Sequence, residues 1–215
     1  MFSLVLAMML PMTFGSGGPS MTYVVLGDST AAGVGAPYDA GIATGTARGL
    51  ADGRRVVMTN LAVSGARVRD VLERQLSAAE ALKPDVVLLS VGANDVTHLT
   101  PIGSMRRSLQ TIVRRLKTAN PSVRIVVTGS PDMGAPPRIP RLLRGIASCR
   151  TKQVNRMFQE EVERGKLTFA PIATMTGPLF RKDPSLFGED RFHPNERGYA
   201  AWIAVLNRAL AEAVR

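Results

Sequence analysis

The sequence predicts an α/β domain built on a doubly wound, parallel five-stranded sheet with helices on both faces. Three observations carry this expectation. Short apolar, β-branched runs recur along the chain, each leads into a turn rich in Gly, Ser, Asp or Asn, and stretches with helical apolar spacing separate them. Parallel strands need crossovers, and right-handed crossovers put helices on both faces of the sheet. With 215 residues, 45% of them apolar and 20% charged, the chain can bury one sizeable core.

In chain order, strands are expected at Tyr23 to Leu26, Val56 to Thr59, Val86 to Val91 and Ile125 to Thr128, with a weaker fifth at Lys166 to Ala170. Their unbroken apolar character fits strands covered on both faces. Helical spacing occupies Val68 to Ala81, Met105 to Ala119, Ile139 to Glu163 and Glu196 to Val214. Pro84 and Pro121 stand just ahead of the third and fourth strands, where they end a helix without removing a ladder donor. The expected strand order is 2-1-3-4-5, and the Pro-rich passage from Ser130 to Pro140 reads as a surface loop. The sequence contains no internal repeat, low-complexity tract or interdomain linker.

Residues 1–20 are set apart from the domain expected over 21–215. Met1 to Phe14 is almost wholly apolar and leads into the small-residue stretch Gly15 to Ser20. That run is too short to span a bilayer comfortably. Its length suits a signal-peptide core, yet it lacks a basic start and an Ala-x-Ala site, and Met21 would serve equally as the start of translation. Export follows from the first reading and a cytoplasmic location from the second.

The formal charge of +10 is regional: Val96 to Phe158 holds twelve Lys/Arg against one acid, Asp132. A solvated Arg-rich face accounts for this, as does attraction to an anionic membrane or lipid surface or to an acidic acyl substrate. Specific nucleic-acid binding is disfavoured, because the region has neither an aromatic stacking series nor a nucleic-acid module. The single cysteine, Cys149, excludes an intrachain disulfide and a Cys-rich zinc site, and is expected to be a buried, unreactive thiol. Only His98 and His193 are available to any imidazole-based mechanism.

Four short segments carry candidate chemistry. Leu26-Gly27-Asp28-Ser29-Thr30 ends the first strand and continues into a segment with Gly33 and Gly35, so that Ser29 can face a cleft; alone, the same turn would serve as a helix cap. Asn60 to Gly65 follows the second strand and Gly92-Ala93-Asn94-Asp95 the third, both at the carboxyl edge where open α/β sheets bind ligands. Seen singly, Gly65 is a tight turn and Asn94 an Asx-turn. Asp190 and His193, three residues apart ahead of the last helix, can share a hydrogen bond that leaves the second ring nitrogen free as a base. A dinucleotide fingerprint, a Walker A loop and a Gly-x-Ser-x-Gly elbow are all absent.

Taken together, these blocks make the chain resemble the GDSL/SGNH hydrolase family. Gly27-Asp28-Ser29 matches the first block, Gly65 the second, Gly92-Ala93-Asn94-Asp95 the third and Asp190-x-x-His193 the last, in family order from about Tyr23 to Val214. Block one departs from the family pattern in having Thr30 where leucine is usual, which does not touch the reacting atoms. The resemblance implies a flavodoxin-like fold and hydrolysis of esters or thioesters, with Ser29 as nucleophile, His193 as base and Asp190 as its orienter. It places the oxyanion on the backbone N–H groups of Ser29 and Gly65 and the Asn94 amide. No metal or cofactor is required.

Asp28, Thr30 and His98 are candidates to line the pocket, with Arg67 and the Pro-rich loop as further contributors to its shape. His98 is the rival base, with only Asp95 near it as an orienter. Trp202 is expected in the core. Few aromatics lie near the motifs in sequence, which favours a small acyl ester over a carbohydrate. Two alternatives stay open: acyl transfer to an acceptor other than water, and a catalytically silent protein that binds anionic lipid or nucleic acid.

Overall fold

The computed structural model describes residues 10–215. Six strands form one sheet: β1 (Met12–Phe14), β2 (Ser20–Gly27), β3 (Arg55–Asn60), β4 (Val86–Ser90), β5 (Arg124–Val127) and β6 (Thr168–Phe169). Among the described residues eight α-helices accompany them: α1 (Ile42–Leu50), α2 (Val68–Arg74), α3 (Leu76–Ala81), α4 (Ala93–Thr97), α5 (Ile102–Ala119), α6 (Arg141–Gly165), α7 (Ile172–Lys182) and α8 (Glu196–Ala213). The sheet order is β1-β3-β2-β4-β5-β6. Strands β2 to β6 run parallel to one another and have the expected 2-1-3-4-5 arrangement.

Successive residues of each central strand point to opposite faces, and both faces are covered. On one side Tyr23, Val25, Met58, Leu88 and Val126 meet Ile42, Ala47 and Leu50 of α1 and Tyr199, Trp202 and Leu206 of α8. On the other, Val24, Leu26, Val87, Leu89 and Val127 meet Val71, Leu76, Leu109, Ile112, Val154 and Phe158 from α2, α3, α5 and α6. The alternation is invisible in the sequence because both sets are apolar.

The sheet has six strands where five were expected. Strand β1 lies within the segment set apart as residues 1–20, and pairs antiparallel with β3, Met12 opposite Met58 and Phe14 opposite Val56. Three residues show no alternation from which a strand can be read. The apolar run considered as a signal-peptide core falls largely on residues 1–9, outside the described residues.

Helices α1 and α7 are also additions. Gly45 and Gly49 weaken the helical signal of α1, but a Cβ at Gly45 would come within 2.4 Å of Ile203 and one at Gly49 within 2.5 Å of Asn207, so the glycines are what lets α1 lie close on α8. In α7 the Gly177-Pro178 pair reads as a break, yet burial of Ile172, Thr176, Gly177 and Phe180 carries the helix through. The stretch expected as one helix from Val68 to Ala81 is two, parted at Gln75. Two further corrections concern burial. The passage from Ser130 to Pro140 is not a surface loop throughout, since Asp132 to Pro136 are buried, and Cys149 is exposed on α6, whose opposite face makes the core contacts.

Candidate active site

The carboxyl ends of β2, β3 and β4 bring together three of the four segments. Gly27 closes β2 with φ +151°, and a Cβ there would lie 1.9 Å from the Ser90 carbonyl oxygen, so only glycine lets β2 and β4 converge at this point. The turn that follows is held from below. Asp28 N–H donates to Ser90 O at 3.1 Å, and the buried Asp28 carboxylate accepts from Thr30 N–H at 3.0 Å and Thr30 Oγ1–H at 2.8 Å. Burial pushes the Asp28 carboxyl up to about 6, against the opposing pull of those Thr30 hydrogen bonds. Ser29 and Thr30 face a cleft, whereas Asp28 lies beneath the turn and does not line it.

The fourth segment arrives from the far end of the chain. Gly188 N–H donates to His193 O at 2.8 Å and Asn195 N–H to Leu186 O at 2.9 Å, closing a loop around Glu189 to Phe192. Asp190 caps that loop from within, accepting from Phe192 N–H at 2.9 Å and His193 N–H at 3.0 Å. Its second oxygen contacts His193 Nδ1, while His193 Nε2 lies 2.8 Å from Ser29 Oγ. The tautomer that satisfies both contacts carries its proton on Nδ1 and accepts from the serine hydroxyl. Partial burial alone would raise the Asp190 carboxyl, but the hydrogen bonds from the His193 ring and the two backbone N–H groups hold it below the usual carboxylate range.

Asn94, half-buried at the start of α4, lines the cleft with Ser29 and His193. Its side-chain amide donates to Ala66 O at 3.0 Å, fixing the turn after β3 beside it. Gly65 lies in that turn at φ +83°, exposed. Among the described residues, no hydrogen bond engages the backbone N–H of Ser29 or of Gly65. Gly65 also lines a polar depression with Arg67, Asp70, Arg74, Gln75 and His98.

His98 therefore stands apart from the cleft of Ser29. It is exposed, its Nδ1 is 2.8 Å from Asn94 O, and Asp95, the one carboxylate near it in sequence, turns inward to accept from Val68 N–H at 3.0 Å. Arg67 pairs with Asp70 and shapes the depression, not the cleft.

Pro131, Met133, Ala135 and Pro136 line the cleft together with Phe180, Phe187, Phe192 and Trp202. Folding thus gathers four aromatic side chains that are scattered in the sequence. Phe180, Phe187 and Trp202 are buried and pack edge-on or tilted against one another, so they offer an apolar wall and not an open stacking platform.

Residues 25–201 match the GDSL-like lipase/acylhydrolase family. The chain belongs to that family. It is 34% identical over 198 residues to a GDSL-like esterase of Mycobacterium tuberculosis, an alignment covering 89% of this chain and 62% of that relative. The chain thus spans somewhat less than two thirds of the relative's length. Its fold is shared by a lipase from a goat rumen metagenome, at TM-score 0.72 and 19% identity over 88% of this chain and 97% of the other. An acetyl-xylooligosaccharide esterase variant from Geobacillus has TM-score 0.71 and 21% identity, over 91% of this chain and 95% of the other.

Against the family's four blocks, the structure adds residues that hold them in place. Gln75, buried at the α2–α3 break, donates to Gly27 O at 2.8 Å and accepts from Gly27 N–H at 2.9 Å, clamping the end of β2 two residues before Ser29. Gly35 has φ +99°, and a Cβ there would come within 2.4 Å of Pro194 O and 2.9 Å of His193 Cβ, so its lack of a side chain lets the two ends of the chain meet. Tyr199 Oη–H donates to Val34 O at 2.6 Å, anchoring the same segment to α8. Gly35 was visible in the sequence as part of a glycine-rich stretch. Nothing in the sequence distinguishes Gln75 from a polar residue on a helix surface.

Proposed function

We propose that this protein hydrolyses carboxylic esters or thioesters through an acyl-enzyme on Ser29. The observation that carries the proposal is the chain of contacts from Ser29 Oγ to His193 Nε2 at 2.8 Å and from His193 Nδ1 to Asp190. Ser29 Oγ attacks the acyl carbon as His193 Nε2 takes its proton, and the carbonyl oxygen gains the negative charge. The backbone N–H groups of Ser29 and Gly65 and the Asn94 amide receive that oxygen. As the tetrahedral species collapses, the leaving group departs with the proton returned by His193. Water then attacks the acyl-enzyme with His193 again as base, releasing the carboxylic acid and restoring Ser29. Asp190 holds the ring in its working tautomer and stabilises the imidazolium formed in each half-reaction.

The apolar walls built by Met133, Phe180, Phe187 and Trp202 favour an acyl chain over a sugar as the group held beside Ser29. A fluorophosphonate reagent should label the wild-type chain once, at Ser29. Ser29→Ala should remain folded, take no label and lose turnover across a chain-length series of nitrophenyl esters and acyl thioesters, whereas Cys149→Ser should keep its rate. Turnover surviving in a folded Ser29→Ala, or lost with the thiol, would reject the assignment.

A further inference from the structure

Helix α6 is two different helices end to end. Its carboxyl half carries Glu160, Glu161 and Glu163, of which Glu160 and Glu161 pair with Arg106, and Glu161 also with Arg164. The amino half has no acid at all. It presents Leu142 at 92% exposure, Ile146 at 63% and Leu143 at 50%. At 100° per residue, Leu142, Ile146 and Cys149 fall on one stripe, with Arg141, Lys152 and Arg156 along one side of it and Leu143 and Arg150 along the other. Among the described residues, none of Arg138, Arg141, Arg144, Arg150, Lys152 and Arg156 is ion-paired. The guanidinium of Arg144 instead donates to the carbonyls of Ile139 and Pro137, and that of Arg150 to Thr100 O and Gln153.

The opposite side of this half-helix packs on the loop that walls the cleft: Ser148 Oγ–H donates to Asp132 at 2.8 Å and Met133 N–H donates to Thr151 Oγ1 at 3.2 Å. The loop that walls the cleft from Pro131 to Pro136 runs directly into α6. Arg138 N–H donates to Arg191 O at 3.0 Å and its guanidinium lies 5.9 Å from the centre of the Phe192 ring, tying the loop to the segment that carries His193. An exposed leucine beside unpaired arginines is unfavourable against water and against a second copy of the same face, where arginine would meet arginine. It suits a layer that is anionic at its surface and apolar just beneath, with leucine and isoleucine entering the acyl boundary while the cations stay among the headgroups.

We propose that the exposed face of the amino half of α6, together with Arg138 just ahead of it, docks on an anionic phospholipid surface. The face binds by charge and by apolar insertion together, so neither part suffices alone. Binding is read without turnover, so this proposal stands or falls separately from the ester chemistry.

The test is co-sedimentation of the full chain with vesicles of phosphatidylcholine, with and without phosphatidylglycerol, at low and raised salt. Wild type should bind the phosphatidylglycerol vesicles and release as salt rises. Arg141→Gln should weaken binding about fivefold, and Leu142→Glu with Ile146→Glu should abolish it. All three positions are exposed and outside the cleft, so circular dichroism and hydrolysis of a short soluble ester should be unchanged. Equal binding to both vesicle types, or equal binding by wild type and the double variant, would overturn the proposal. So would a wild-type dimer that Leu142→Glu dissociates, because the partner would then be a second copy of the chain.

Discussion

Ser29 and His193 meet at 2.8 Å, yet the two sides of that contact are built on opposite plans. The serine sits on a buried turn at the end of the central strand, clamped by Gln75 on Gly27, by Ser90 O on Asp28 N–H and by the Asp28 carboxylate on Thr30. The histidine rides on a loop near the surface whose order comes from its own short hydrogen bonds, centred on the partly exposed Asp190, with Arg191 in the left-handed region at φ +57°. Core packing therefore positions the nucleophile, and local hydrogen bonding positions the base. Changes on the serine side should register in stability first, and changes on the histidine side in chemistry.

The largest effect should come from the histidine side. His193→Ala removes the group that accepts the Ser29 proton, and kcat/KM should fall by about 10⁴-fold or more. Its stability in urea should change by only about 1 kcal/mol or less, because the ring is not part of either core cluster. Near-normal turnover in His193→Ala together with a dead His98→Ala would reverse the roles of the two histidines.

Asn94 spans the two plans, since its amide fixes Ala66 O while the residue faces the cleft. Asn94→Ala should lower kcat by roughly a hundred- to a thousandfold, as expected for one oxyanion donor. KM should move much less. If instead KM rose at constant kcat, the amide would be holding substrate and not the transition state.

The same contrast explains how much could be read from the sequence. The parallel strands and their order were legible, because β-branched runs such as Val86 to Val91 leave few other readings, and the meeting of Ser29, Asn94, Asp190 and His193 was expected from the order of their blocks along the chain. What escaped depends on long-range packing. Gly45 and Gly49 argue against a helix until Ile203 and Asn207 lie against them. Gln75 is chemically ordinary until the end of β2 arrives at its amide, and the wall of Phe180, Phe187 and Trp202 forms only when α7 and α8 come together. Asp132 to Pro136 looked like a surface loop because proline and glycine signal turns without saying whether the turn is buried.

Gln75→Leu tests the serine side directly. The leucine fills the volume but leaves Gly27 N–H buried and unpaired, while Gly27 O keeps its bond from Val63 N–H at 3.1 Å, and the loss should cost about 1–3 kcal/mol of stability. At temperatures where the variant is folded, kcat should also drop, because the clamp sits two residues before Ser29. A variant as stable as wild type would show that β2 needs no such clamp.

Asp28→Asn should give the smallest change, and one of opposite sign. Burial holds the Asp28 carboxyl at about 6 in the folded protein, against about 3.9 when unfolded. A carboxyl raised in this way contributes its full stability below the unfolded value and loses it as pH climbs through the folded one. The wild type should therefore lose at most about 3 kcal/mol between pH ~4 and pH ~6, with little further loss above. Asparagine keeps an oxygen for Thr30 N–H and Thr30 Oγ1–H and has no proton to lose. Urea denaturation of both proteins across that range should show the variant gaining on the wild type as pH rises and the gap levelling off above pH ~6. Parallel profiles would mean that Asp28 titrates alike in both states, and that the turn beneath Ser29 accommodates its charge without cost.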